Sequence, residues 1–131
     1  MHKEIHKKQL WEGINIMKIP FMINLDGKVA VVTGGGGVLC SVFAKALAEC
    51  GAKIAILDLR KESAEKVANE INEAGGTAIG IATNVLDIES IKAAREVVNE
   101  KLGTCDILIN GAGGNNPKGT TTKDYLFKED L

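Results

Sequence analysis

Four consecutive glycines, Gly34 to Gly37, stand between an apolar run and a helical pattern, and they restrict the fold more than any other feature. The run before them, Lys28-Val29-Ala30-Val31-Val32, has the aliphatic, β-branched character of a strand buried on both faces. Glycines at such a junction let the backbone turn sharply and put no Cβ in the way of a close neighbour. A helix starting directly after the turn presents unpaired N–H groups and the positive end of its dipole. That combination is suited to a diphosphate.

Strand and helix patterns then alternate. The first strand is read as 28–33. The helix after it carries Val38, Leu39, Val42, Phe43, Ala46, Leu47 and Cys50 as an apolar stripe, with Gly51 placed to end it. The second strand is 53–58. A second amphipathic helix over 62–74 directs Ala64, Val67, Ala68 and Ile71 inward and stops at Gly75-Gly76. A third strand follows at 77–82. Asp87 caps a third helix expected to bury Ile88, Ile91, Val98 and Leu102. The fourth strand is 105–110, and the segment from Gly111 to Gly119 reads as loop. This order predicts an α/β fold, a Rossmann-type parallel sheet with right-handed crossovers and flanking helices.

Ligands of such sheets bind beyond the carboxyl ends of the strands, where the strand order reverses, and the informative residues fall at those ends. Gly34, Gly36, Gly37, Val38 and Leu39 form the first turn and helix start. Asp58 ends the second strand and is followed by Leu59 and Arg60. A carboxylate there can accept hydrogen bonds from both hydroxyls of an adenosine ribose and repels a 2′-phosphate, which favours NAD, while Arg60 leaves NADP open. The alternative for Asp58 is a helix N-cap. Asn84 and Val85 follow the third strand: the amide is placed to read an adenine edge with Val85 against the ring, or Asn84 is simply a turn residue. Asn110, Gly111, Ala112 and Gly113 close the fourth strand with small residues that allow approach to a cofactor ribose.

Composition narrows the classes. The 131 residues suffice for one core. The formal net charge of −1, with no basic run interleaved with aromatics, gives no sign of a nucleic-acid partner. No apolar stretch reaches membrane-spanning length. The three cysteines, Cys40, Cys50 and Cys105, lack metal-type spacing, and their odd number argues against a disulfide framework, so no metal is expected and a cytoplasmic setting is. Residues 1–16 hold both histidines and the sole tryptophan and fit no later element. They read as a non-native or disordered leader, with Met17 as the natural start and 17–131 as the N-terminal part of a dinucleotide-binding domain. N-terminal sequencing that found Met1 or His2 in the mature chain would refute this.

Leu25-Asp26-Gly27-Lys28 through Gly34, then Asp58, then Asp106-Ile107-Leu108-Ile109-Asn110-Gly111-Ala112-Gly113 resemble the N-terminal half of a short-chain dehydrogenase/reductase. Gly34 to Ser41 and Asn110 to Lys118 resemble in particular its D-mannonate oxidoreductase (fructuronate reductase) branch. The resemblance implies NAD(P)-dependent hydride transfer on a small-molecule sugar acid and a homo-oligomer at full length. Two departures stand out. Val38 and Cys40 occupy the second and third glycine positions of the family's TGxxxGxG pattern, and Gly111 replaces one asparagine of its Asn-Asn-Ala-Gly. Cys40 itself reads as a small packing residue, in preference to a redox group.

The family's catalytic Tyr-x-x-x-Lys finds no match. The only tyrosine, Tyr125, has lysine three residues on and glutamate four. Tyr125 is therefore read as a loop or helix residue, and no catalytic residue is assigned. The expectation is a sheet truncated after about the fourth strand, inactive by itself and burdened with an exposed parallel edge. A non-catalytic dinucleotide-binding module is the alternative. A phospho-acceptor receiver domain would need an aspartate where Thr83-Asn84 ends the third strand. A methyltransferase would leave the Asn110 to Gly114 loop unexplained.

Overall fold

The computed structural model describes residues 23–114. The leader 1–16, Met17, the loop beyond Gly114 and Tyr125 lie outside the described residues. The elements run β1 (Val29–Thr33), α1 (Val38–Glu49), β2 (Lys53–Asp58), α2 (Lys61–Glu73), β3 (Thr77–Ala82), α3 (Ile88–Lys101) and β4 (Ile107–Asn110). The strands form one parallel sheet in the order β3-β2-β1-β4. The alternating pattern therefore gives the predicted α/β, Rossmann-type sheet, with β4 starting two residues later than its apolar run suggested. Asp106 explains that start. Its carboxylate accepts from Val29 N–H at 2.9 Å and its own N–H donates to Val29 O at 2.9 Å, anchoring β4 beside β1.

The two faces of the sheet are covered by different helices. Ala30, Val32, Ile54 and Ile56 pack with α1 and α2, and Val29, Val31, Ala55 and Leu57 pack with Ala94, Val98 and Leu102 of α3. Both faces of β1 and β2 are buried, which is why these strands read as unbroken apolar runs. Ile54, Ile56, Ile71 and Val32 are the largest fully buried side chains, each contributing about 1.5–3 kcal/mol of transfer free energy. Helix α2 buries the four residues read as its inner face, Ala64, Val67, Ala68 and Ile71. It lies so close to β3 that a Cβ on Gly80 would stand 2.6 Å from the Ala64 carbonyl carbon. The Asn72 side chain then mimics a backbone partner for β3, bonding both the N–H (2.8 Å) and the carbonyl (2.9 Å) of Ala78.

Two expected inner faces differ. Helix α1 turns Cys40, Ala44 and Ala48 to the core and leaves Val38 (91%), Leu39 (65%) and Phe43 exposed. The small residues lie where helix and sheet are closest, and apolar residues on both flanks made the stripe ambiguous. Helix α3 buries Ala94 and Val98, and its C-cap Leu102 is buried too, but it exposes Ile88 and Ile91. It begins at the carboxyl edge of the sheet, so only its later turns lie over strand side chains. Two helix stops are as read, Gly51 and Gly75 taking positive φ after α1 and α2, and Gly103 does the same after α3, where no stop was read. Asp87 caps α3 by accepting from Glu89 N–H at 3.0 Å.

Candidate dinucleotide site

Strand order reverses between β1 and β4: the chain steps from β1 to β2 and β3, then crosses back to place β4 on the other side of β1. The register pairs Thr33 with Asn110, so the glycine turn and the Asn110 to Gly113 loop leave neighbouring strand ends together. Thr33 joins them. Its buried hydroxyl accepts hydrogen bonds from Gly111 N–H and Ala112 N–H, both at 3.1 Å. Gly34 takes φ +65°, and a Cβ there would stand 2.8 Å from Gly111 O, so only glycine fits both the conformation and the approach.

The turn closes by Gly37 N–H donating to Gly34 O at 3.0 Å, and Gly37 then serves as the N-cap of α1 without any side-chain cap. No acidic residue lies in the first turn of α1. The N–H groups there are unsatisfied by helical geometry and carry the positive dipole end. Helix α3 differs, since Asp87 caps it and Glu89 sits in its first turn.

Asp58, half-buried at the end of β2, reaches the turn. One carboxylate oxygen accepts from Gly36 N–H at 3.1 Å and the other from Arg60 N–H at 3.0 Å. Arg60, not Asp58, is the N-cap of α2, so the helix-cap alternative for Asp58 falls away. A Cβ on Gly36 would stand 2.8 Å from the Asp58 carboxylate and 2.7 Å from Ser63 Cβ, so the turn rests directly on the start of α2. Leu59 is exposed beside it (71%).

Asn84 and Val85 lie exposed after β3. The Asn84 side-chain oxygen accepts from Leu86 N–H at 3.0 Å, and its backbone N–H donates to Ser90 Oγ at 2.9 Å. That is the turn role named as the alternative, and the side-chain N–H groups have no hydrogen-bond partner among the described residues. The structure thus gathers Gly34, Gly36, Gly37, Asp58, Asn110, Gly111 and Ala112 at the reversal, with Gly113 on the same loop. Val38, Leu39 and Leu59 stand exposed at its rim, and Asn84 and Val85 at the end of the outermost strand. Sequence reading missed Thr33 and Ser63 as supports. A hydroxyl at the last position of β1 was the signal for the first; nothing in the sequence marks the second.

Among the described residues no three His, Cys, Asp or Glu side chains gather as metal ligands, and no helix is long and apolar enough to cross a membrane. The bare helix start, the glycine turn and the carboxylate at its lip fit a dinucleotide.

Fold and site define an open α/β unit of the Rossmann type. A model of the short chain dehydrogenase family matches residues 28–128, and the chain belongs to that family of oxidoreductases. It is 55% identical over 109 residues to an oxidoreductase of uncharacterised activity from Haemophilus influenzae, covering 83% of this chain and 38% of the relative. A second uncharacterised oxidoreductase, from Bacillus subtilis, is 50% identical over 103 residues, covering 79% and 37%. A crystal structure from Haemophilus influenzae, provisionally described as a D-mannonate oxidoreductase with bound NAD, matches with a TM-score of 0.71 and 55% identity, over 80% of this chain and 38% of that one. The chain therefore spans well under half the length of these relatives.

Proposed function

We propose that this chain is the dinucleotide-binding part of an oxidoreductase that uses NAD(H) on a sugar acid of the D-mannonate/D-fructuronate type. One observation carries the cofactor reading: a carboxylate, Asp58, ends β2 and reaches the glycine turn, where it favours ribose hydroxyls and disfavours a 2′-phosphate. Bound there, the dinucleotide supplies a hydride carrier. Gly34 to Leu39 hold its diphosphate, Asp58 and Leu59 its adenosine ribose, Asn84 and Val85 its adenine, and Asn110 to Gly113 its second ribose. The sugar-acid reading rests on the Gly34 to Ser41 and Asn110 to Lys118 segments and on the Haemophilus structure. A cytoplasmic setting and a homo-oligomer at full length complete the proposal.

Titration of the 131-residue chain with NADH and NADPH, followed by nicotinamide fluorescence, tests this. NADH should saturate, NADPH should bind at least about tenfold more weakly, and Asp58→Asn should shrink that preference. Equal affinities, or no saturation by NADH, would overturn it. With no Tyr-x-x-x-Lys in the chain, NADH should not be consumed when D-fructuronate is added. Turnover at that point would refute the non-catalytic reading of the 131 residues.

A further inference from the structure

We propose that Cys40 and Gly111 form an interlocking pair that sets the spacing of the two loops and so how tightly a dinucleotide is held. This rests on the reading that these loops hold a dinucleotide. Cys40 lies in the first turn of α1, its side chain buried in the core cluster against β1 and β2. A Cβ added to Gly111 would collide with Cys40 Sγ, yet it would stand 3.5 Å from Cys40 Cβ, an ordinary contact. The sulfur fills most of the space that a side chain at 111 would take, and the Thr33 carbonyl oxygen, 2.9 Å from the Cβ position, bounds the rest.

Glycine at 111 is not demanded by backbone conformation, because Gly111 is absent from the glycines with positive φ, which are Gly27, Gly34, Gly51, Gly75 and Gly103. Its requirement is for room. Two departures from the resembled pattern, cysteine for glycine at 40 and glycine for asparagine at 111, are the two sides of one contact.

The contact reaches the site. Gly111 is held on three sides: by the Thr33 hydroxyl on its N–H at 3.1 Å, by the close passage of Gly34 beneath its carbonyl, and by the Cys40 thiol. A displacement of Gly111 therefore pushes on the glycine turn and the loop together. Tight interiors transmit such shifts instead of absorbing them. Cys40 is in this sense a positioning residue, touching no ligand itself.

The test is a double-mutant cycle of Cys40→Ala, Gly111→Ala and the double variant in the full chain, read as NADH affinity at a temperature where every variant is folded, and as denaturant midpoint. Gly111→Ala should weaken NADH binding about tenfold or more, and adding Cys40→Ala should restore part of it. Restoration stops short of complete because the new Cβ still meets Thr33 O at 2.9 Å. The proposal is overturned if the double variant binds as weakly as Gly111→Ala, or if Gly111→Ala binds like the parent. Recovery of the midpoint without recovery of affinity would reduce the pair to packing and equally overturn the positioning role. If the parent chain fails to bind NADH, the functional reading fails on its own. The midpoints then decide whether the two residues interlock: recovery in the double variant means they do, simple addition means they do not.

Discussion

Replacing Gly36 by alanine places a methyl carbon where the structure has no room for one. That carbon would lie 2.7 Å from Ser63 Cβ and 3.0 Å from the Ser63 carbonyl carbon, both in the first turn of α2, and 2.8 Å from an Asp58 carboxylate oxygen. Carbon–carbon contacts are best at about 3.5–4.0 Å, so the turn must retreat by roughly 1 Å or displace the helix. Overpacking of this kind costs about 1–3 kcal/mol. The retreat also stretches the 3.1 Å bond from Gly36 N–H to Asp58. A bond to a charged acceptor is worth about 1.5–3 kcal/mol, and water reaching the half-buried carboxylate brings the loss to the lower end. Restricting the unfolded chain returns about 0.4–1 kcal/mol. The net destabilisation is about 3 kcal/mol, which moves a urea midpoint down by about 1.5 M for a chain of this size. Gly113→Ala is the control: nothing among the described residues lies within 4 Å of its Cβ position, so its midpoint should stay put. A Gly36→Ala midpoint within about 0.2 M of the parent would refute the claim that this turn is seated on α2.

Thr33→Val keeps the shape of the side chain but leaves Gly111 and Ala112 N–H without their acceptor, so stability should fall by about 1–2 kcal/mol and hydrogen exchange should quicken at those two amides. Asn72→Ala removes both bonds to Ala78 and should cost about 1–3 kcal/mol in a denaturation experiment, with β3 amides the first to lose protection. Glu49 ends α1, and burial pushes its carboxyl pKa up. A raised folded-state pKa means that its favourable contribution is present at acid pH and lost as pH rises through that value. Glu49→Gln should therefore raise the denaturation midpoint at neutral pH, with the gain fading below about pH 4; a gain that grew toward acid pH would contradict the sign.

Much of this protein was settled by local sequence. Apolar runs of strand length, helical patterns and glycines at the ends of the first two helices established the order of elements, because backbone conformation and side-chain periodicity are properties of neighbouring residues. The end of each strand was equally visible, and with it Gly34, Asp58 and Asn110 as candidate residues at the carboxyl edge of the sheet. The inner face of α2 was legible since only one of its sides is apolar. Those of α1 and α3 were not: α1 is apolar nearly all round, and α3 overhangs the sheet edge at Ile88 and Ile91. The tertiary structure alone decided how the parts meet. That Asp58 ties down Gly36, that Thr33 holds Gly111 and Ala112, and that Cys40 takes the room of a side chain at 111 depend on strands and helices distant in sequence approaching within contact distance. Packing at interior density sets those distances, and no periodicity along a chain encodes them.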